Sequence, residues 1–295
     1  MPHGGPSELI LVVGMHRSGT SALTRVLSLC GAALPRDISE PGDDNPTGHW
    51  ESPPAKDLND GFLEARGSAW DDAGLAFRNP PRGDAFARDV APSDRYVLAI
   101  ENLLAHQAER GRTVVLKEPR ITILLRYWLT AAKRAGFTPK AIHIFRHPAD
   151  VAASLAVRNG IPFEHACALW RKYNLLGERD SRGVARAFVS YEALMRDWQT
   201  EIARCVREVG TELVPGPETR AAVRAFLAPE LHHHRGGAVD ARAAASEHWQ
   251  PTLETYTELA RAAAGDPNRA AFDALFDAYF DAYAESTSVA TALGR

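Results

Sequence analysis

Few cysteines, no long apolar run and no excess of one charge: these absences already exclude several classes of protein. The 295 residues include three cysteines, Cys30, Cys167 and Cys205, far apart and with no Cys-x-x-Cys pair. Neither a zinc site nor a disulfide framework is expected from them, and their helix-like surroundings read as buried reduced thiols. The N-terminal stretch MPHGGPSELILVVG contains only five consecutive aliphatic residues, Leu9 to Val13. That is too short for a signal h-region or a membrane span, so a cytoplasmic chain with no stable membrane insertion is expected. Lysine plus arginine number 34 against 37 aspartate plus glutamate, a net charge of −3. No whole-molecule field favours nucleic acid, and any anion site must be a local patch. The run His232–His234 has no Asp, Glu or Cys at ligand spacing, and consecutive histidines point apart, so no metal is expected there.

What is present is an ordinary globular composition, 45% hydrophobic and 24% charged, enough to bury a sizeable core. Leu9–Val13 is a continuous aliphatic run ending at a glycine, as in a strand covered on both faces. Ser18 to Leu29 has a helical apolar pattern, with Gly31 as its stop. Further strands are expected at Thr113–Leu116, Lys140–Phe145 and Ala187–Ser190. Helices are expected at Asp94–Glu109, Ile121–Ala135, Pro148–Val157 and Glu192–Val209, and the chain from about Glu218 is helical and Ala-rich. This alternation predicts an α/β fold, a parallel sheet flanked by helices on both faces, with a helical C-terminal region. A single domain over 1–295 is expected, with an α/β core over 8–198 and a helical extension over 199–295. Inside the core, residues 32–93 are rich in Pro, Gly, Asp and Asn and read as a long functional loop.

The segment Gly14-Met15-His16-Arg17-Ser18-Gly19-Thr20-Ser21 lies between the first strand and the first helix. Its small residues let backbone N–H groups converge on an anion at the helix N-terminus, and Arg17 adds a forked, charged donor. The spacing is that of a nucleotide P-loop, but Thr20 stands where the lysine of a Walker loop would be. A 5′-phosphate carrying something other than further phosphates fits this loop better than a magnesium triphosphate. Arg146-His147-Pro148-Ala149-Asp150-Val151-Ala152-Ala153-Ser154 follows the third strand, with Pro148 and Asp150 suited to a helix start. Arg146 and Ser154 so placed can converge on a second phosphate.

The loop GMHRSGTS and the Arg-x7-Ser of RHPADVAAS resemble the two phosphosulfate-binding motifs of the sulfotransferase family. VVLKEPR resembles its strand-end lysine motif, and FVSYEALMRDW its strand ending in Tyr-Glu. Order and spacing agree over roughly residues 8–198. The RSGTS and KEP forms are most similar to the carbohydrate and bacterial branches, which have a P-loop-like fold. The resemblance implies 3′-phosphoadenosine 5′-phosphosulfate (PAPS) as sulfuryl donor and adenosine 3′,5′-bisphosphate (PAP) as product. It implies that Arg17, Ser18, Gly19, Thr20 and Ser21 grip the 5′-phosphosulfate, and that Arg146 and Ser154 hold the 3′-phosphate. Tyr191 then falls near the adenine and Lys117 in the catalytic lysine position. Pro119 occupies the place of the histidine base of cytosolic members, and a glutamate is the usual base of the branches this chain resembles.

Sulfuryl transfer is an in-line displacement at sulfur, dominated by positioning and charge stabilisation. Lys117 and Arg17 are the natural pair for the leaving oxygen. For the base, Glu51 in Gly48-His49-Trp50-Glu51 leads, with His49 and Glu118 as alternatives. A lysine at a buried strand end favours a site role for Lys117 over the alternative of an ion pair with Glu51 or Glu118, and Arg120 reads either as a substrate anchor or as the partner of an acid. Trp70, Trp128 and Trp170 are candidates for an acceptor pocket or for core packing. Residues 32–93 and the C-terminal helices would shape the site for a small-molecule, glycan or lipid acceptor, and a homo-oligomer stays open. Two other functions stay open: a P-loop kinase, which the missing lysine disfavours, and a non-catalytic PAP-binding protein.

Overall fold

Four short strands of aliphatic residues form one parallel sheet in the computed structural model, which describes residues 7–38, 48–78, 94–107, 112–213, 215–227 and 245–283. They are β1 (Glu8–Val13), β2 (Thr113–Leu116), β3 (Thr138–Phe145) and β4 (Ala185–Ser190), in the spatial order β2-β1-β3-β4. The register runs from Glu8 opposite Thr138 to Val13 opposite His143. Because every second side chain points to the same face, β1 feeds two cores. Leu9, Leu11 and Val13 face one, and Ile10 and Val12 the other. All five are fully buried, which is why the strand reads as an unbroken apolar run rather than an alternating one.

The second face is covered by α1 (Thr20–Leu29), α7 (Tyr191–Arg196), α8 (Trp198–Val209) and α9 (Pro217–Phe226). The first carries α2 (Pro53–Glu64), α3 (Asp94–Ala105), α4 (Leu125–Arg134), α5 (Pro148–Asn159) and α6 (Phe163–Asp180). The C-terminal helices α10 (Trp249–Ala263) and α11 (Arg269–Tyr283) insert Leu259, Phe272, Phe276 and Tyr279 into this same core. The α/β fold with helices on both faces and a helical C-terminal region is therefore the observed one. No described helix is long and apolar enough to cross a membrane. The three cysteines are free and buried, and burial pushes Cys30 up to about 11 and Cys167 and Cys205 up to about 12.

Several boundaries differ from the sequence expectation, each for a local reason. The helix expected over Glu192–Val209 is two helices, broken at Asp197. Asp197 leaves helical geometry and its carboxylate accepts from the Thr200 amide (3.2 Å) and hydroxyl (2.7 Å), capping α8. Ile121–Ala135 begins instead as a 3₁₀ turn over Pro119–Thr122 before α4, and α3 ends at Ala105 rather than Glu109. The 18-residue α6 has no counterpart among the expected helices. It is buried almost all round, and Arg171, Lys172, Asn174 and Glu178 interrupt its apolar surface, so no amphipathic stripe advertises it. Residues 39–47 and 79–93 of the 32–93 segment, Glu109, and His232–His234 lie outside the described residues.

The strand order places a switch point between β1 and β3. The chain leaves β1 towards β2 on one side and leaves β3 towards β4 on the other, which opens a crevice at the carboxyl ends of the two neighbours. Both Gly14–Gly19 and Arg146–His147 sit at that edge.

Candidate active site

The loop after β1 is held against its neighbour by what glycine lacks. A Cβ on Gly14 would lie 2.4 Å from the Ile144 carbonyl oxygen of β3. Thr122 Oγ1 accepts from the Gly14 amide (2.9 Å) and donates to the Gly14 carbonyl (3.0 Å), fixing the exit of the strand. Arg17 (φ 68°) and Gly19 (φ 90°) are both left-handed, so the chain curls before entering α1. No described side chain caps α1, so the N–H groups of its first turn are not taken up by a capping side chain. Ser18 is fully buried, and its hydroxyl has no hydrogen-bond partner among the described residues.

Arg146 ends β3 and Pro148 begins α5, so the second predicted segment is also a strand-to-helix turn. Ser154, two turns into α5, is buried, and its Oγ accepts from Arg17 Nε at 2.8 Å. The two segments, 137 residues apart in sequence, therefore meet directly. Tyr191, at the end of β4, lies flat on the first loop. A Cβ on Gly19 would come within 2.3 Å of its ring, and the Arg146 guanidinium sits 4.8 Å from the centroid of the same ring. Burial raises the Tyr191 hydroxyl despite the opposing charge of Arg146. Arg146 also contacts Asp150 (3.4 Å), and its carbonyl accepts from Trp170 Nε1 (3.1 Å).

Lys117 leaves the end of β2, and its side chain is 1% exposed. Nζ donates to Glu51 Oε1 at 2.7 Å and to Ser21 Oγ at 3.1 Å. Burial lowers its pKa, and the Glu51 carboxylate opposes that shift. Ser21 in turn donates to the His49 carbonyl (3.1 Å), tying the segment 48–52 to α1. Trp50 has a positive φ of 56°, an uncommon state for a bulky residue, and its ring packs 4.3 Å beneath the Arg25 guanidinium of α1. Ser52 then caps α2 by accepting from the Ala55 amide (3.4 Å). Arg17, Ser18, Gly19, Thr20, Ser21, Lys117, Glu51, Arg146, Ser154 and Tyr191 are thus gathered at one edge of the sheet, although they come from five parts of the chain.

Glu118 is brought near but is differently employed. It is completely buried and accepts from Arg120 Nη1 (2.6 Å), the Arg120 amide (3.1 Å) and Asn59 Nδ2 (2.5 Å). Asn59 is itself fixed by Tyr96 Oη (2.6 Å) and Trp128 Nε1 (2.9 Å). Burial pushes the Glu118 carboxyl up, with Arg120 pulling it down. Arg120 completes the cluster by pairing with Asp60, so the reading of Arg120 as the partner of an acid is the one observed. Trp128 and Trp170 are buried core residues, whereas Trp70 is half-buried and packs at a tilt against His16 (centroids 4.6 Å, interplanar angle 52°). Nothing in the sequence marks His16 or Tyr173, because a histidine inside a strand-to-helix loop carries no spacing signal. Among the described residues no cluster of three His, Cys, Asp or Glu side chains is placed to hold a metal ion.

Comparison with known proteins bears on this arrangement. No curated protein matches the chain in sequence. Among solved structures it is similar to the sulfotransferase domain of the Synechococcus PCC 7002 olefin synthase, with 18% identity, 97% of this chain and 98% of that one covered, and a TM-score of 0.47. It is also similar to the sulfotransferase domain from the curacin biosynthetic pathway, with 17% identity over 73% and 77% of the two chains and a TM-score of 0.41. Sulfotransferase STF1 from Mycobacterium tuberculosis H37Rv gives 15% identity over 74% and 71%, with a TM-score of 0.39. A sequence model of the sulfotransferase family matches residues 10–216, a span running from the first strand past α8 and including every candidate site residue. On that match the chain, a transferase by its kind, belongs to the sulfotransferase family.

Proposed function

We propose that this protein transfers a sulfuryl group from PAPS to a hydroxyl of a small-molecule, sugar or lipid acceptor. The observation that carries the donor assignment is the 2.8 Å contact from Arg17 Nε to Ser154 Oγ. It brings the two strand-to-helix turns, each carrying an arginine, side by side, which supports one site for a nucleotide phosphorylated at both its 5′ and 3′ positions. The residues fit such a ligand. The uncapped start of α1 and the unpartnered, buried Ser18 hydroxyl are donors in want of an acceptor, and Arg17 supplies formal charge beside them.

On this reading Arg17, Ser18, Gly19, Thr20 and Ser21 bind the 5′-phosphosulfate, Arg146 and Ser154 the 3′-phosphate, and Tyr191 the region of the adenine. The acceptor oxygen attacks sulfur as the bond from sulfur to the 5′-phosphate oxygen breaks. The products are a sulfated acceptor and PAP, and the acceptor proton must go to a base. Lys117 and Arg17 neutralise the charge that builds on the leaving oxygen. Glu51 receives the proton: Lys117 turns from the carboxylate to the leaving oxygen, and the released carboxylate faces the acceptor. Glu118 is a poor candidate for the same task, since Arg120 and Asn59 occupy both its oxygens. His49 reaches this region through its backbone carbonyl on Ser21 and stays the second candidate.

Calorimetric titration with PAP, and with ATP plus magnesium in parallel, tests the donor site. PAP is expected to bind and ATP not to. Arg146→Ala is expected to weaken PAP about tenfold or more while changing adenosine 5′-phosphate little, a loss of about 1.4 kcal/mol or more. Equal losses for the two nucleotides, or tight binding of ATP alone, would overturn the assignment.

A further inference from the structure

His16 is the titratable group of the phosphate loop that the scheme above leaves unused. Its ring is wedged between Trp70 and Tyr173, with centroid separations of 4.6 and 5.7 Å. Tyr173 Oη donates to the Trp70 carbonyl at 2.9 Å, which locks the two walls together. Nε2 is buried and has no hydrogen-bond partner among the described residues. Leaving such a polar atom dry and unsatisfied is unfavourable, and a ligand atom can remove that cost. The next residue is Arg17, and the charges acting on the ring are those of Arg120, Lys117, Arg158 and Arg17. Burial first, and then these four cations, hold the imidazole well below its ordinary range, so the ring is neutral at pH 7. A neutral imidazole carries one N–H and one lone pair. Trp70 belongs to the segment expected to shape the acceptor pocket, so His16 touches that segment from within the donor loop.

From this placement we propose that His16 is a contact residue for the sulfuryl group, its Nε2–H donating to a sulfuryl oxygen while that group is still on the nucleotide. The inference rests on the PAPS reading and deepens it. The ligand that satisfies Nε2 is the sulfated nucleotide, and PAP, lacking the sulfuryl oxygens, leaves the nitrogen dry again. The loop thereby distinguishes donor from product, and product release is favoured at the atom that has just lost its partner.

The test needs no acceptor. The full chain is titrated calorimetrically with PAPS and with PAP, as wild type, as His16→Phe and as His16→Gln. His16→Phe keeps an aromatic ring in the Trp70–Tyr173 wedge and removes the N–H. It is expected to weaken PAPS about tenfold while changing PAP less than about twofold. His16→Gln, whose amide can donate from a similar position, is expected to recover part of the difference. Equal weakening of both nucleotides would make His16 a packing residue of the loop and overturn the proposal, as would no change in either. Failure of the wild type to bind either nucleotide would instead overturn the donor reading on which this one stands. If the Phe variant does not fold, the imidazole ¹H–¹⁵N spectrum of the wild type decides. PAPS but not PAP should shift the His16 Nε2 signal, assigned through the Gln variant, and identical spectra would overturn the proposal.

Discussion

The two ends of the sheet each bury a lysine on a glutamate, and they differ in everything around that pair. At the amino end of the strands, Lys140 Nζ donates to Glu8 Oε1 (2.6 Å) and to the Gly210 carbonyl (2.5 Å). Glu8 also accepts from Thr113 (3.1 Å) and from Thr211, so donors and acceptors balance within the fold. At the carboxyl end, Lys117 meets Glu51 at a similar 2.7 Å, but Arg17 and Arg146 lie along the same edge, and Ser18 Oγ and His16 Nε2 have no partner among the described residues. The first pair closes a network and belongs to stability. The second sits in a surplus of donors, which is what a fold looks like where an anion is meant to complete it.

Substitutions can break this contrast. The largest effect is expected from Lys117→Met, which should lower turnover with PAPS and an acceptor about 10²–10³-fold, the loss typical of removing one donor to a leaving or developing oxyanion. Initial rates of PAP release measure it, and near-normal turnover would make Lys117 as structural as Lys140. Lys140→Met should do the reverse. Stability is expected to fall by about 3 kcal/mol, as when a buried pair loses one member, with PAP binding retained. Urea unfolding measures the loss, and an unchanged midpoint would contradict the closed-network reading.

The smallest effect concerns pH. Burial tends to raise the Glu8 carboxyl, but its bonds to Lys140, Thr211 and Thr113 prevail and hold it below its ordinary value of 4.5. A carboxyl depressed by folding contributes stability above its unfolded pKa and loses it as pH falls through the lower folded value. Glu8→Gln should therefore flatten the decline of stability below pH 4.5 and leave its shape near neutrality unaltered. An acid titration of the unfolding midpoint with the same slope in both proteins would remove Glu8 from that role.

Much of this was legible before folding was considered. The four strands are short, strongly apolar runs, and each ends in a turn or loop, so their existence follows from pattern alone. The loop at Gly14–Ser21 and the Arg146–Ser154 turn were readable because each sets turn-forming residues directly between an apolar strand and a helix start. The pairing of Lys117 with Glu51 was foreseen as one of two options. The helix α6 was not readable, because burial on all sides erases the contrast between faces on which periodicity depends. The break at Asp197 was missed because a capping aspartate inside a helical pattern resembles any polar surface residue until its carboxylate is seen on Thr200.

The sequence by itself determined the α/β class, the place of the two strand-to-helix turns along the chain, and the absence of a lysine at position 20. These are properties of neighbours in the chain. Only the tertiary structure decided which acid belongs to which cation. Glu118 and Glu51 lie 67 residues apart with equal claims on Lys117, and packing against Asn59 and Arg120 sent one of them into the core while the other stayed on Lys117. It also decided that Arg17 meets Ser154 and that His16 Nε2 has no hydrogen-bond partner among the described residues. Contacts across the sheet depend on strand order, and strand order is set by how the helices cover both faces, not by any local run of residues.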